Sequence, residues 1–266
     1  MNDTLEAPRA SDTPRVVIVG AGFAGIEVAK ALQSAPARVA LIDRRNYSLF
    51  QPLLYQVATA ALSPSDVAVP IRGLVHGRNV EMLLDRVVGV EVEPALVRTA
   101  SGRAIAYDVL VLATGSEFNY FGHDGWWRLA PSPKGLTDAV EIRRRLLLAF
   151  ERAEMCEDEA ERRAFMNFVV VGAGSTGVER AGAIAELAKA TLSRDFRRIA
   201  PGAAAIVLIE AGPRVLNGFP AALGAYAHRA LKRMGVEVLV NTAVETIDHR
   251  GIVAQGRRIE ARTVIW

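Results

Sequence analysis

The sequence predicts an α/β fold in which one strand, turn and helix design is written twice. Three observations carry that reading. A β-branched run empties into closely spaced glycines at residues 16–25 (VVIVGAGFAG), the same signal returns at 168–177 (FVVVGAGSTG), and an acidic residue follows the next apolar run in each case, Asp43 and Glu210. A strand that runs into G-x-G-x-x-G and then a helix is what a dinucleotide's pyrophosphate requires. The first glycine (Gly20, Gly172) allows the tight turn, the second (Gly22, Gly174) lets the backbone approach the phosphates, and the third (Gly25, Gly177) lets the helix pack against the strand. The helix N-terminus then faces the anion, and the acid is placed to hold a ribose hydroxyl. The expected architecture is therefore two Rossmann-like dinucleotide-binding domains, each with a βαβ unit and a small β-hairpin or meander.

Taken in order, residues 38–42 read as the second strand. Residues 44–56 (RRNYSLFQPLLYQ) carry too many aromatics and amides for a linker and no clean period, so they read as a packed loop. Ser63-Pro64-Ser65-Asp66 marks a helix start. Residues 80–84 and 86–92 read as strands and 93–106 as a hairpin turning near Ser101-Gly102. The strand at 107–112 ends in Ala113-Thr114-Gly115, small residues that let the backbone close on a ligand. The stretch 119–133 is rich in glycine, proline and aromatics. Asp138 and Glu141, spaced as a capping box, are expected to open a long helix, and the charged run 157–163 reads as a solvated turn or helix end. A helix beginning at Pro220 should stop at Gly235.

The copies keep their spacing. From Gly20 to Val109 is 89 positions and from Gly172 to Thr263 is 91, and a turn glycine (Gly102, Gly256) lies 7 positions before the last strand residue of each pair. The acid comes 23 positions after the first glycine in one copy and 38 in the other, so the second helix and loop should be longer. The expected division is a flexible N-terminus at 1–14, a first nucleotide domain at 15–130, a helical connection at 131–166 and a second nucleotide domain at 167–266. That second domain is expected to be cut before its last turn.

Composition narrows the function classes. The chain has 266 residues, 51% of them hydrophobic, with 32 Lys+Arg against 29 Asp+Glu. The small positive excess is scattered in pairs and triplets with no stripe of interleaved aromatics, so no nucleic-acid partner is expected. The first fifteen residues show neither a positive start nor an apolar core, and no run of eighteen apolar residues occurs, so a cytoplasmic location is expected. The four histidines fall at no metal-ligand spacing, and Cys156 is the only cysteine.

The chain resembles the N-terminal part of the type II NADH:quinone dehydrogenases, a branch of the two-dinucleotide-binding flavoprotein reductases. The residues that carry the resemblance are Ile42-Asp43-Arg44-Arg45-Asn46-Tyr47 with Phe50-Gln51-Pro52-Leu53-Leu54-Tyr55-Gln56-Val57-Ala58, the Tyr120-Phe121-Gly122-His123-Asp124 loop, and Thr176-Gly177-Val178-Glu179 with Ala181-Gly182-Ala183-Ile184-Ala185-Glu186-Leu187. The resemblance implies that FAD occupies the first unit and NADH the second. Gly20, Gly22, Phe23, Ala24, Gly25, Asp43, Arg44 and Val88 would contact FAD. Gln51 and Pro52 would lie near its isoalloxazine, and Ala113, Thr114 and Gly115 would close over it. Gly172, Gly174, Ser175, Thr176, Gly177 and Glu210 would hold NADH, the acid at Glu210 favouring NAD over NADP.

Glu179 would face the nicotinamide and quinone region as a proton relay. Its other reading is a helix-start acid favoured by the dipole. The implied reaction is hydride transfer from NADH to FAD and two-electron reduction of a quinone without proton pumping. A homodimer, and attachment to the cytoplasmic face of the inner membrane through a C-terminal segment that this chain lacks, are further implications. The other reading is a nucleotide-binding fragment without a competent flavin or quinone site. A single cysteine excludes a dithiol beside the flavin. Ser175 stands where the family usually has proline and Arg180 where it usually has an apolar residue. A buried Arg180 is costly unless it pairs with Glu179 or reaches solvent.

Overall fold

The computed structural model describes residues 13–266, so most of the 1–14 segment lies outside the described residues. The chain forms two compact units. Among the described residues one joins 13–50 with Ala68–Glu117, and the other joins Gln51–Val67 with Phe118–Trp266.

In the first unit β1 (Arg15–Val19) leads through the glycine turn into α1 (Phe23–Ala31) and β2 (Arg38–Asp43). A short antiparallel pair follows, β3 (Tyr47–Leu49) with β4 (Ala68–Pro70), and then β5 (Val80–Leu84). A three-stranded antiparallel meander, β6 (Val87–Glu91), β7 (Leu96–Thr99) and β8 (Ala104–Ala106), returns the chain to β9 (Val109–Leu112). The parallel sheet has the order β5-β2-β1-β9. Both of its faces are covered, which is why β1 reads as an unbroken apolar run rather than an alternation. Val16 and Ile18 pack with Ile26 and Ala29 of α1, while Val17 and Val19 pack with Val97 and Ile105 of the meander.

The second unit opens with two short helices, α2 (Leu54–Ala58) and α3 (Pro64–Val67). Its long helix α4 (Leu136–Met155) is followed by α5 (Glu159–Phe165). β10 (Asn167–Val171), α6 (Ser175–Glu186) and β11 (Ala205–Ile209) then repeat the first motif, and α7 (Ala221–Arg233) leads to β12 (Val236–Leu239). The meander β13 (Val244–Asp248), β14 (Gly251–Ala254) and β15 (Arg257–Glu260) precedes β16 (Thr263–Ile265). The sheet order β12-β11-β10-β16 reproduces the first sheet strand for strand, and all its pairs are parallel. The longer second copy is visible as α6 and the π turn Leu187–Thr191 that extends it.

Several expectations are adjusted. The compact units divide the chain differently from the sequence reading, because residues 51–67 and 118–130 of the expected first domain, and the segment 131–166, belong with the second unit. α2 packs on α4, and the Arg143 guanidinium donates to the Leu62 carbonyl at 3.1 Å. Asp138 does not begin α4: Gly135 is the N-cap, and the Asp138 carboxylate, one turn in, accepts the Gly135 N–H at 2.8 Å. Glu141 instead pairs with Arg144 and Arg145. The charged run is a helix of its own, because Asp158 caps α5 by accepting the N–H groups of Ala160 and Glu161. Pro220 is the N-cap of α7 rather than its first residue, and Gly235 follows it at φ +81°.

Candidate nucleotide-binding sites

Each glycine turn is held by the same hydrogen bonds. The Gly20 N–H donates to the Ile42 carbonyl at 2.8 Å, and the Gly172 N–H donates to the Ile209 carbonyl at 2.7 Å. The first glycines need positive φ, +101° at Gly20 and +91° at Gly172. The third glycines need close approach: a Cβ at Gly25 would stand 1.8 Å from the Gly20 carbonyl oxygen, and one at Gly177 would stand 1.8 Å from that of Gly172. The second glycines differ. A Cβ at Gly22 or Gly174 would meet nothing within 4 Å, and each is the N-cap of its helix with no side chain capping it. Open space in front of first-turn N–H groups is the cradle an anion fits.

The two acids are engaged alike. Asp43 accepts the Ala21 N–H at 2.7 Å on one oxygen and the Arg45 N–H at 2.8 Å on the other. Glu210 accepts the Ala173 N–H and the Gly212 N–H, both at 2.7 Å. An ionised carboxylate has about four acceptor positions, so each acid keeps capacity for two ribose hydroxyls. The residues fit a dinucleotide at both turns.

In the first unit a cleft of about 290 Å³ opens at the carboxyl ends of the strands. Gly20, Asp43, Arg44 and Thr114 line it, so four of the sequence-predicted residues come together there. Asp85, Val87 and Glu117 also line it, and the sequence reading missed them. Arg44 and Glu117 are both exposed and stand 3.5 Å apart. Glu117 carries only the weak signal of following Gly115, whose φ is +73°. Val88, next to Val87 in β6, does not line this cleft and is 62% exposed. Phe23 is exposed at the start of α1 and meets Phe50 edge-on at 5.4 Å, with exposed Ala24 beside it. Ala113 is tied to β1 by its N–H on the Val19 carbonyl. Gln51 and Pro52 are exposed in a 3₁₀ turn, Gln51–Leu53, of the second unit.

In the second unit Ser175, Thr176 and Glu179 lie in the first turns of α6 and are exposed. Partial desolvation raises the Glu179 carboxyl above the ordinary carboxylate value, and the Arg180 charge opposes that rise. Arg180 neither reaches solvent nor forms an ion pair with Glu179 among the described residues. It is buried, its Nη1 donates to the Trp266 carbonyl at 2.5 Å, and its Nε has no partner. Burial holds its guanidinium down to about 10, with Glu179 and Tyr120 opposing. Around the end of β16 the rings of Tyr120 and Trp126 stand 5.2 and 5.6 Å from Trp266, and His123 stacks on Trp126 at 4.0 Å.

Comparison with known proteins decides the family. The pattern of the pyridine nucleotide-disulphide oxidoreductase family matches residues 14–266. The chain belongs to that family. The family's two dinucleotide-binding regions are the two glycine turns described above. The chain is similar to the type II NADH:quinone oxidoreductase NdhA of Mycobacterium tuberculosis, 42% identical over 95% of this chain and 56% of the relative. The type II NADH:quinone oxidoreductase Ndh of the same organism is 41% identical over 99% of this chain and 58% of the relative. The chain thus spans little more than half the length of these relatives. In fold it matches the NDH2 of Plasmodium falciparum in complex with NADH, at a TM-score of 0.87 and 24% identity over 96% of this chain and 54% of that one. The dithiol chemistry in the family's name needs two cysteines, and this sequence has Cys156 alone. Among the described residues no helix is long and apolar enough to cross a membrane.

Proposed function

We propose that this chain is the nucleotide-binding portion of an FAD-dependent NADH:quinone oxidoreductase, with FAD at the first glycine turn and NADH at the second. The observation that carries the reading is the pair of equivalent turns, each with an open second glycine and an acid at the end of the neighbouring strand. The names of the mycobacterial relatives supply the chemistry, NADH as donor and quinone as acceptor. Bound flavin supplies two-electron acceptor and donor chemistry that no side chain has. The chain's own residues bind and orient. The α1 N-terminus holds a pyrophosphate at Gly22, Asp43 takes a ribose, and Thr114 and Gly115 close the cleft edge.

The α6 N-terminus with Ser175 and Thr176 holds the second pyrophosphate. Glu210 takes its ribose and disfavours a 2′-phosphate by charge, so NADH is preferred. Glu179 holds the proton that quinone reduction consumes, and the partial desolvation that raises its carboxyl favours the protonated form. Attachment to the inner membrane's cytoplasmic face and a homodimer belong to the whole protein on this reading.

The test is NADH-dependent reduction of a soluble quinone by the purified chain with FAD added. Turnover that disappears without FAD supports the reading. NADH binding without turnover at any FAD concentration leaves the nucleotide-binding fragment as the better description, a reading favoured by the chain's share of its relatives' length.

A further inference from the structure

The second unit carries a cavity of about 260 Å³ that neither glycine turn uses. Thr263, where β16 begins, and Phe165, just before β10, both line it. It therefore opens at the amino edge of the parallel sheet, the edge opposite Gly172. Its floor is apolar, with buried Ala149 and Val264 beside half-buried Leu148 and Phe165. Its walls are cationic: Arg128, Arg144, Arg145, Arg152 and Arg262 line it against one acid, Asp248. Arg144, Leu148 and Arg152 come from successive turns of one face of α4, at i, i+4 and i+8.

Three of the arginines and the acid are already engaged. Arg144 grips Glu141 with two hydrogen bonds of 2.7 and 2.8 Å. Arg145 also donates to Glu141 and to the carbonyls of Leu129 and Arg128, which fixes the cavity wall. Arg262 donates to Glu161 and Glu260, and Asp248 accepts from Arg258. Arg128 and Arg152 are different. Among the described residues neither meets a carboxylate, and each is held against an aromatic ring, Arg128 5.1 Å from Trp127 and Arg152 5.9 Å from Phe165.

We propose that this cavity is a binding site for a phosphate ester carried on an apolar or aromatic body, separate from both dinucleotide sites. Two uncommitted guanidinium forks suit a phosphate, which offers more oxygens than the single carboxylate that one fork satisfies. The body of the ligand rests on Leu148, Phe165 and Val264 while its phosphate meets Arg128 and Arg152. The proposal stands on the geometry of the second unit and does not depend on the quinone reading.

The test uses phenyl phosphate titrated calorimetrically into the intact chain and into the double variant Arg128→Gln, Arg152→Gln. Both side chains are exposed, so the variant should keep the melting temperature and the affinity for ADP of the parent. Phenyl phosphate should bind the parent more tightly than inorganic phosphate and bind the variant at least about tenfold more weakly, the loss expected for charge-assisted contacts. Absence of binding at millimolar phenyl phosphate, or equal affinity of parent and variant, overturns the proposal. Equal affinity for phenyl and inorganic phosphate overturns the role given to the floor.

Vesicles separate the sources of the ester. Sedimentation with phosphatidylglycerol vesicles but not phosphatidylcholine vesicles, lost in the variant and relieved by phenyl phosphate, assigns the site to a lipid headgroup. Phenyl phosphate binding with no vesicle binding assigns it to a soluble phosphate ester.

Discussion

The carboxylate of Asp43 accepts the backbone N–H of Ala21 across the edge of the first sheet at 2.7 Å, and Glu210 does the same for Ala173 in the second unit. The acid at the end of the second strand thus does two things: it stiffens the loop between the first two glycines and presents its remaining lone pairs to a ribose. Asp43→Ala should release two N–H groups and remove the ribose acceptor together. With about 1.5–3 kcal/mol for each hydrogen bond to a charged group, flavin affinity should fall at least about tenfold while NADH affinity is unchanged. Glu210→Ala should reverse the pattern. Fluorescence titration of each variant with FAD and with NADH checks both.

The three glycines of a turn should respond differently to one methyl group. Gly25→Ala drives a Cβ into the Gly20 carbonyl and should cost about 3 kcal/mol of stability as an overpacked contact. Gly22→Ala meets open space at an unstrained φ of −77°, so its melting temperature should stay near the parent's. Its nucleotide affinity should nevertheless fall, because the methyl occupies the space the phosphates need. Thermal melts alongside FAD titrations separate the two effects.

Arg180 is a buried cation with one hydrogen bond on Nη1 and an unpartnered Nε. Its folded value, about 10, lies below the ordinary arginine range, so the cost of burying its charge is fully present at neutral pH and falls only as pH rises past about 10. Arg180→Met removes that charge at similar volume. Stability at pH 7 should hold or rise, by up to about 4 kcal/mol. Urea denaturation of the pair at pH 7 measures it, and a large loss would mean that the Trp266 contact outweighs the burial cost.

Acid should loosen the α4 end of the second unit. Arg144, and after it Arg145, hold the Glu141 carboxyl down to about 2 against an ordinary value of 4.5. A depressed carboxylate contributes stability above its unfolded value and loses it as pH falls through the folded one, here between about 4.5 and 2. Glu141 is a third exposed, so solvent screens the pair and the effect is modest. Glu141→Gln should be less stable than the parent at pH 6 and converge with it near pH 2, as chemical denaturation across that range would show.

The glycine turns, their acids and the duplicated spacing were legible in the sequence because each follows from a backbone requirement that few residues meet. Other features depend on contacts the chain makes far along its length. Asp138 and Glu141 have capping-box spacing, yet the same spacing leaves open which acid caps, and the Gly135 N–H decided it in favour of Asp138 one turn inside. Asp158 was hidden in a charged run whose cap is seen only when Ala160 and Glu161 point their N–H groups at it. Residues 51–67 join the second unit through α4, a contact no local pattern announces. Arg180 could be read as paired or solvated, and its burial against Trp266 is a tertiary fact 86 positions away. The arginine-lined cavity draws on residues from 128 to 264 and leaves no linear motif.

The most direct test of the account is the visible absorption spectrum of the purified chain, loaded with FAD, before and after anaerobic addition of NADH. The flavin bands should bleach with NADH, more completely than with an equal amount of NADPH. A chain that takes up FAD and binds NADH but keeps its flavin bands unchanged would contradict it.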